Sequence, residues 1–381
     1  MFSDPVERAC KHNPPFKGGR MSRQRASVTI NDVARHVGVA KGTVSRAINN
    51  YDDISDATRL RILDAIKELG YEPSATARNL KRGRQDTLGI VISADGALAA
   101  DSFPSDFILG FSHALYTLDR DLLLIFAHSS EQIVETLERL IARRKVDGFV
   151  LTRTEPNDQQ IALLSNTGVP FVTFGRTADS SGYAWIDIDK KIAFSDAVKH
   201  VVDLGHRSIG FVGGPDNLNF AHECRDGYRS GLDDAGLIPD LAFETRVDVS
   251  ERGGSEGARR LLSLPVPPTA LLCVDDSVAI GAIRRCRDLG LAVGKDVSII
   301  GYGSLPAGPH INSSLTTYSH SAHDAGERVA SMLMDIIDGT LPTERQELAR
   351  AKLIRRASDG PPTKSPEELG EFLRRRRSVR L

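Results

Sequence analysis

The chain has 381 residues, of which 40% are hydrophobic and 26% charged, and its formal net charge is −1. That length exceeds one small core and predicts a small module joined to a large two-lobed domain. No uninterrupted apolar run approaches the roughly 20 residues that span a bilayer, and the start of the chain lacks the apolar core of a secretory signal, so a soluble, cytoplasmic protein with no membrane partner is expected.

Residues 1–27 mix Pro, Gly and basic residues without periodicity and are expected to form a disordered extension. From Val28 to Asn50, two short apolar-periodic segments flank Gly38. In the first, Ile30, Val33, Ala34 and Val37 fall at i, i+3, i+4 and i+7, and Thr29 and Asp32 have capping-box spacing. Gly38 permits the positive φ that ends this helix, and Val44, Ala47 and Ile48 give the second helix a narrow apolar stripe. Lys41, Gly42, Thr43, Ser45 and Arg46 are left facing outward, a short, polar and basic surface of the kind a helix-turn-helix presents to DNA. A hairpin that merely packs explains the apolar positions but not that surface. A third helix over 55–69 starts at the N-cap Ser55, draws on Leu60, Ile62, Leu63, Ile66 and Leu69, and stops at Gly70. Together these three helices predict an all-α helix-turn-helix domain over 28–73. Pro73 then breaks the chain and Ser74 can cap one more short helix, so 74–84 reads as a hinge helix and linker ending in Lys81-Arg82-Gly83-Arg84.

Thr29-Ile-Asn-Asp-Val-Ala34, Gly38-Val39, Thr43-Val-Ser-Arg46, Asn49, Tyr71 and Pro73 together resemble the LacI/GalR family of bacterial transcription regulators. The resemblance implies a homodimer that binds double-stranded operator DNA, in that family usually as a repressor. It also implies that the last short helix orders on the operator and wedges a leucine, by position Leu80, into the minor groove. Such a wedge partly unstacks a base step and bends the duplex. Ala77, on the same helix, belongs with the DNA contacts; an ordinary linker role for Leu80 is the alternative. Base reading falls by the resemblance to Lys41, Gly42 and Arg46. The Arg46 guanidinium can fork onto guanine O6 and N7, a contact worth about 1–3 kcal/mol of discrimination, and Lys41 can do likewise or meet phosphate. Gly42 has no side chain where many relatives carry a polar reader, which leaves one half-site position to weak or shape readout. Thr29, Thr43, Ser45 and Asn49 suit phosphate or backbone contacts that set register.

Through Arg84 the chain holds 16 Lys and Arg against 9 Asp and Glu, a balance of +7 that leaves −8 for the remainder. A basic module that attracts phosphate is thus joined to an acidic one. Beyond Arg84, apolar runs at 88–92, 122–126, 148–151, 171–174, 209–212, 270–274 and 297–300 alternate with helical patterns that include 130–144, 190–204, 276–289 and 323–337. This alternation indicates parallel sheets wrapped by helices. The resemblance continues through Leu204-Gly-His-Arg-Ser-Ile209, Phe211-Val-Gly-Gly214, Arg225-Asp-Gly-Tyr-Arg229, Val293-Gly-Lys-Asp-Val-Ser-Ile-Ile-Gly-Tyr302 and Leu315-Thr-Thr317. It implies an α/β two-lobed, periplasmic-binding-protein-like domain over 85–360, serving effector binding and dimerisation, with a cleft for a small-molecule effector such as a sugar.

Ligands in open α/β sheets sit outside the carboxyl ends of strands. Arg225 matches a family position that forks onto ligand hydroxyls or a carboxylate, and unpaired it would be an expensive interior cation. Asp275, ending a strand, matches another contact position, while Asp276 can cap the following helix. Asp189 divides evenly between ligand acceptor and N-cap. Ser93, Phe174, Arg176, Trp185 and His320 are further effector candidates, each with core packing or a surface ion pair as the alternative; an aromatic face suits the apolar side of a pyranose. Gly303 and Gly175 stand where relatives often carry acids, which removes two carboxylates from the ligand inventory.

A sugar-modifying α/β enzyme is the competing reading. No G-x-x-x-x-G-K-S/T loop, strand-following G-x-G-x-x-G, H-E-x-x-H or G-x-S-x-G motif appears, so no enzymatic activity and no cofactor are expected. Cys10, Cys224, Cys273 and Cys286 lack C-x-x-C spacing, which predicts buried or incidental thiols and no structural metal. Residues 361–381, carrying Arg374-Arg-Arg-Arg377, are expected to be a disordered basic tail, solvated or making a second DNA contact.

Overall fold

The computed structural model describes residues 28–71, 84–93, 103–303, 305 and 307–378; the expected extension 1–27 and the hinge residues Ala77 and Leu80 lie outside them. Contacts divide the chain into two units, Met1–Gly83 and Arg84–Leu381.

In the first unit, the Asp32 carboxylate accepts from the backbone N–H of Thr29 at 2.9 Å and from its hydroxyl at 2.7 Å, which fixes the start of helix α1, Ile30–Val37. Gly38, at φ 73°, ends α1 and turns the chain toward α2, Lys41–Ile48. Helix α3, Asp56–Leu69, begins at Ser55, whose Oγ accepts from the Thr58 N–H at 3.4 Å. The three helices close a core of Val33, Ala34, Val44, Ala47, Ile62 and Ala65. Leu60 and Leu63, expected inside, are 62% and 38% exposed. At about 100° per residue the inward stripe of α3 runs through Ile62, Ala65, Ile66 and Leu69, and the two leucines fall outside it.

The second unit holds two six-stranded sheets. The first contains β1 (Thr87–Ser93), β2 (Asp121–Ala127), β3 (Gly148–Thr152), β4 (Phe171–Phe174), β5 (Ala184–Ile188) and β11 (Gln346–Ala349), all parallel, in the order β11-β5-β4-β3-β1-β2. The second contains β6 (Ile209–Gly213), β7 (Glu244–Arg246), β8 (Ala270–Cys273), β9 (Ser298–Gly303), β10 (Thr316–Ser319) and β12 (Lys352–Ile354), in the order β12-β10-β9-β8-β6-β7, with β12 antiparallel to β10. Around them lie α4 (Phe103–Thr117), α5 (Ser130–Ala142), α6 (Gln159–Thr167), α7 (Lys190–Asp203), α8 (Asn219–Asp234), α9 (Glu251–Leu261), α10 (Asp276–Asp288), α11 (Ala322–Ile337) and α12 (Pro366–Ser378). The chain passes between the lobes from β5 to α7, from β10 to α11 and from β11 to β12.

The seven apolar runs all form strands; helices cover both faces of the inner ones, where Leu88, Val150, Val172, Leu271 and Ile299 are each fully buried, while the edge strand β2 stays partly exposed. Strands β5, β7, β10, β11 and β12 were not legible as such runs, being short or interrupted by polar residues, and they take their register from neighbours, as in Gln346 opposite Trp185.

The chain end corrects an expectation. Residues 366–378 form α12, which places Leu369 at 0% and Leu373 at 3% exposure against the second lobe. Leu369, Phe372 and Leu373 supply an i, i+3, i+4 apolar stripe, and Arg374, Arg375 and Arg376 are exposed. Arg374 and Arg376 donate to the carbonyls of Pro265 and Leu289. Cys224, Cys273 and Cys286 are free and buried, and burial pushes the Cys286 thiol up to about 12. Cys10 lies outside the described residues. Among the described residues no helix is long and apolar enough to cross a membrane.

Candidate functional site

Two surfaces collect the candidate residues. On α2, Val44 and Ala47 face the core, which turns Lys41, Gly42, Arg46 and Asn49 outward and leaves Thr43 and Ser45 half-buried. Ala40 offers no side-chain cap to the first turn of α2; the Thr43 and Val44 N–H groups bond the Ala40 carbonyl at 2.9 and 3.2 Å, and Lys41 stands exposed at that end. Arg46 is held by Asp53, with Nη1 2.6 Å from Oδ2 and both side chains about half exposed. An exposed pair of this kind is worth about 0–1 kcal/mol, little enough to exchange for a base. Asn49 donates from Nδ2 to the Ser45 carbonyl at 2.5 Å, and Thr29 is engaged with Asp32. A Cβ on Gly42 would meet nothing within 4 Å, so this position is open for want of a side chain.

The other surface is a cavity of about 120 Å³ at the carboxyl ends of strands from both sheets. Phe174 at the end of β4, Phe220 on α8 and Tyr302 on β9 give it aromatic walls, while Asp275, Asp276 and Lys190 give it charge. Asp275 is the N-cap of α10, its Oδ1 accepting from the Ser277 N–H at 2.8 Å and hydroxyl at 2.5 Å. Asp276 accepts from the Thr317 hydroxyl at 2.6 Å and the Leu305 N–H at 3.0 Å, and burial holds its carboxyl above the usual range despite those bonds. The roles expected of this pair are therefore partly exchanged: Asp275 caps, Asp276 ties β10 to the wall, and both face the cavity.

His320 stacks 6.0 Å from Phe174 and 5.6 Å from Tyr302. Burial, with the nearby Lys190 charge, pushes its imidazole down to about 4, so the ring is neutral near pH 7. Lys190 is itself buried. Burial favours its neutral form, but Asp187 and Glu223 outweigh that and hold the ammonium above the usual lysine range. Its Nζ bonds Asp187 Oδ1 and lies 3.5 Å from Glu223 Oε2. Gly175 and Gly303 have φ of 102° and 129°, a region L side chains rarely adopt, so the two missing carboxylates stand where the backbone here selects glycine.

Of the expected effector residues, Phe174, Asp275 and His320 line the cavity. The other five do not. Arg225 is paired rather than isolated, donating to Asp216 Oδ1 at 3.0 Å and lying 2.7 Å from His222 Nδ1, which answers the cost of an interior cation. Arg176 donates to Asp187 at 2.9 Å and Glu223 at 3.1 Å, joining the two lobes behind the cavity. Trp185 packs in the first lobe's core, donates to the Ser180 carbonyl at 3.0 Å and carries the Arg176 guanidinium 5.1 Å from its ring. Asp189 is the N-cap of α7, accepting from the Ile192 N–H at 2.9 Å. Ser93 ends β1 and is not among the lining residues. Sequence reasoning missed Lys190, Thr154, Phe220 and Tyr302. Lys190 follows Asp189 directly, and a lysine at a helix start has the sequence signature of solvated surface, not of a buried cleft cation.

A helix-turn-helix with a basic outer face, in one chain with a two-lobed domain holding a polar and aromatic cleft, defines the class: a DNA-binding regulator with an effector domain. Residues 29–74 match the family described as bacterial regulatory proteins, lacI family, and residues 198–358 match the periplasmic binding protein-like domain. The HTH-type transcriptional regulator AglR of Rhizobium meliloti (strain 1021) is 34% identical over 345 residues, 89% of this chain and 96% of that protein. A solved lac repressor dimer bound to operator and the anti-inducer ONPF superimposes with TM-score 0.77 at 25% identity, covering 88% of this chain and all of that one. A complex of the transcriptional regulator CelR with cellobiose gives TM-score 0.67 at 30% identity, covering 87% and 99%. The chain belongs to the lacI family of bacterial regulatory proteins.

Proposed function

We propose that the protein is a homodimeric, cytoplasmic repressor without enzymatic activity, whose affinity for a pseudopalindromic operator changes when a small carbohydrate occupies the cleft. The observation that carries this reading is the cleft itself. Its aromatic walls suit the apolar face of a sugar ring, and its carboxylates accept hydroxyl protons. The cellobiose held by the CelR relative supports the ligand class, and the operator-bound lac repressor dimer supports the assembly. Exposed Leu109 and Tyr116 on α4, at 62% and 85%, give the first lobe an apolar face fit to pair with a second copy.

Lys41, Gly42 and Arg46 read bases in this account. Thr29, Thr43, Ser45 and Asn49 set register on phosphates, Leu80 enters the minor groove, and Ala77 contacts DNA from the same hinge. Phe174, Asp275 and His320 meet the effector. Ligand shifts the population between two lobe arrangements about the three crossing segments, and its preference for one arrangement equals the change in operator affinity. Selection of bound fragments from random DNA by the purified protein, repeated with a sugar panel that includes cellobiose, tests this. The expected result is a two-fold-symmetric site whose retention one sugar alters; retention indifferent to every sugar would count against the effector.

A further inference from the structure

His113, Glu327 and His323 form a cluster apart from both surfaces described above. Helices α4 and α11 cross so closely that a Cβ on Gly110 would lie 2.0 Å from the His323 carbonyl oxygen, and one on Gly326 would lie 2.2 Å from that of Phe107. The backbones therefore fix the spacing of the side chains. On α11, His323 and Glu327 share a face at i and i+4, and α4 brings His113 to it. His113 Nδ1 is 2.6 Å from Glu327 Oε1, and His323 Nδ1 is 3.9 Å from the same oxygen. One ligand atom from each residue lies within 4.8 Å of the others. No other group of three or more His, Cys, Asp or Glu among the described residues meets this spacing.

We propose that His113, His323 and Glu327 form a binding site for one divalent first-row transition ion of the zinc class. Two imidazole nitrogens and one carboxylate oxygen suit zinc, cobalt or nickel, whereas calcium and magnesium prefer oxygen donors. Such an ion holds its ligands at about 2.0–2.1 Å, which places tetrahedral ligand atoms roughly 3.3 Å apart. The 2.6 Å and 3.9 Å separations bracket that value, and rotation of partly exposed side chains on fixed helices closes the difference. A fourth, solvent-facing position is left for water. The ion braces a helix pair that reaches the cleft, since Asp106 on α4 and Ala322, next to His323, both line the cavity. His113 and Glu327 are 214 positions apart, so the expectation of no metal, drawn from cysteine spacing, could not reach this cluster.

His113 sits on α4 between Leu109 and Tyr116, at the face proposed to pair with a second copy, and the ion site does not depend on that pairing. Untagged full-length protein, stripped with chelator, is titrated with Zn2+ alone by calorimetry and with Co2+ by visible absorption. The expected result is one ion per protomer, with His113→Ala, His323→Ala and Glu327→Gln each weakening it about 10-fold or more. Thermal melts without ion are expected to match wild type, and a zinc-dependent rise in Tm is expected in wild type alone. No stoichiometric ion in wild type, or binding that all three substitutions leave unchanged, overturns the proposal, because a His–Glu hydrogen bond alone predicts that result. Sedimentation of the same samples reports subunit pairing separately, so loss of pairing with ion binding intact counts against the homodimer and supports the ion site.

Discussion

On α2 the residues offered to a ligand come from one short run, Lys41 to Asn49, and most stand in solvent; in the cleft they come from the ends of strands more than 140 positions apart and lean on one another. Arg46 has a single exposed partner in Asp53, whereas Lys190 is buried against Asp187 and Glu223, which also hold Arg176. The contrast teaches where function and stability can be separated. Substitutions on the reading face should change recognition and leave the fold, while substitutions behind the cleft should cost both.

The comparison breaks first at Lys190. Lys190→Ala removes a cation from the buried Asp187 and the half-buried Glu223, which keep Arg176, and is expected to destabilise the large domain by about 3 kcal/mol in urea unfolding; a loss below about 1 kcal/mol would mean that water reaches the pair. His320 gives the next effect. Its folded pKa of about 4 lies below the unfolded value near 6.5, so the unfolded chain binds more protons between them. The stability this residue contributes is present above pH 6.5 and lost as pH falls through 4, about 3 kcal/mol in all. His320→Phe keeps the aromatic stack, and unfolding at pH 7 and pH 4.5 should show a smaller acid loss in the variant. Arg46→Ala sharpens the other side: operator affinity falls by about 1–3 kcal/mol with relaxed preference at one base, while the melting curve stays in place. The smallest effect belongs to Gly42→Ala, which fills open space on α2 and should raise the stability of the helix-turn-helix unit by about 0.5–1 kcal/mol in thermal melts.

The same contrast decides what was legible in the sequence. The helix-turn-helix could be read because its determinants are local: Thr29 with Asp32, Gly38, and the apolar stripes of α1 and α2. Strands buried on both faces were legible as continuous apolar runs. The cleft was legible only in part, because whether a polar residue faces a ligand or a partner depends on residues far away in the chain. Arg225 has the chemistry of a ligand clamp but spends it on Asp216, and Trp185 has the face for a sugar but buries it in the first lobe. At the chain end, the charge of Arg374 to Arg377 masked the Leu369, Phe372 and Leu373 stripe that docks α12.

The central claim is that occupancy of the cleft changes DNA binding, and it is tested most directly by operator affinity with and without the selected sugar, in wild type and in Asp275→Asn. Asparagine keeps the N-cap of α10, so the variant should fold and bind operator as wild type does. The account predicts a sugar-dependent change of about 5–150-fold in wild type and a much smaller one in the variant. An equal response in both proteins, or none in wild type, would contradict it.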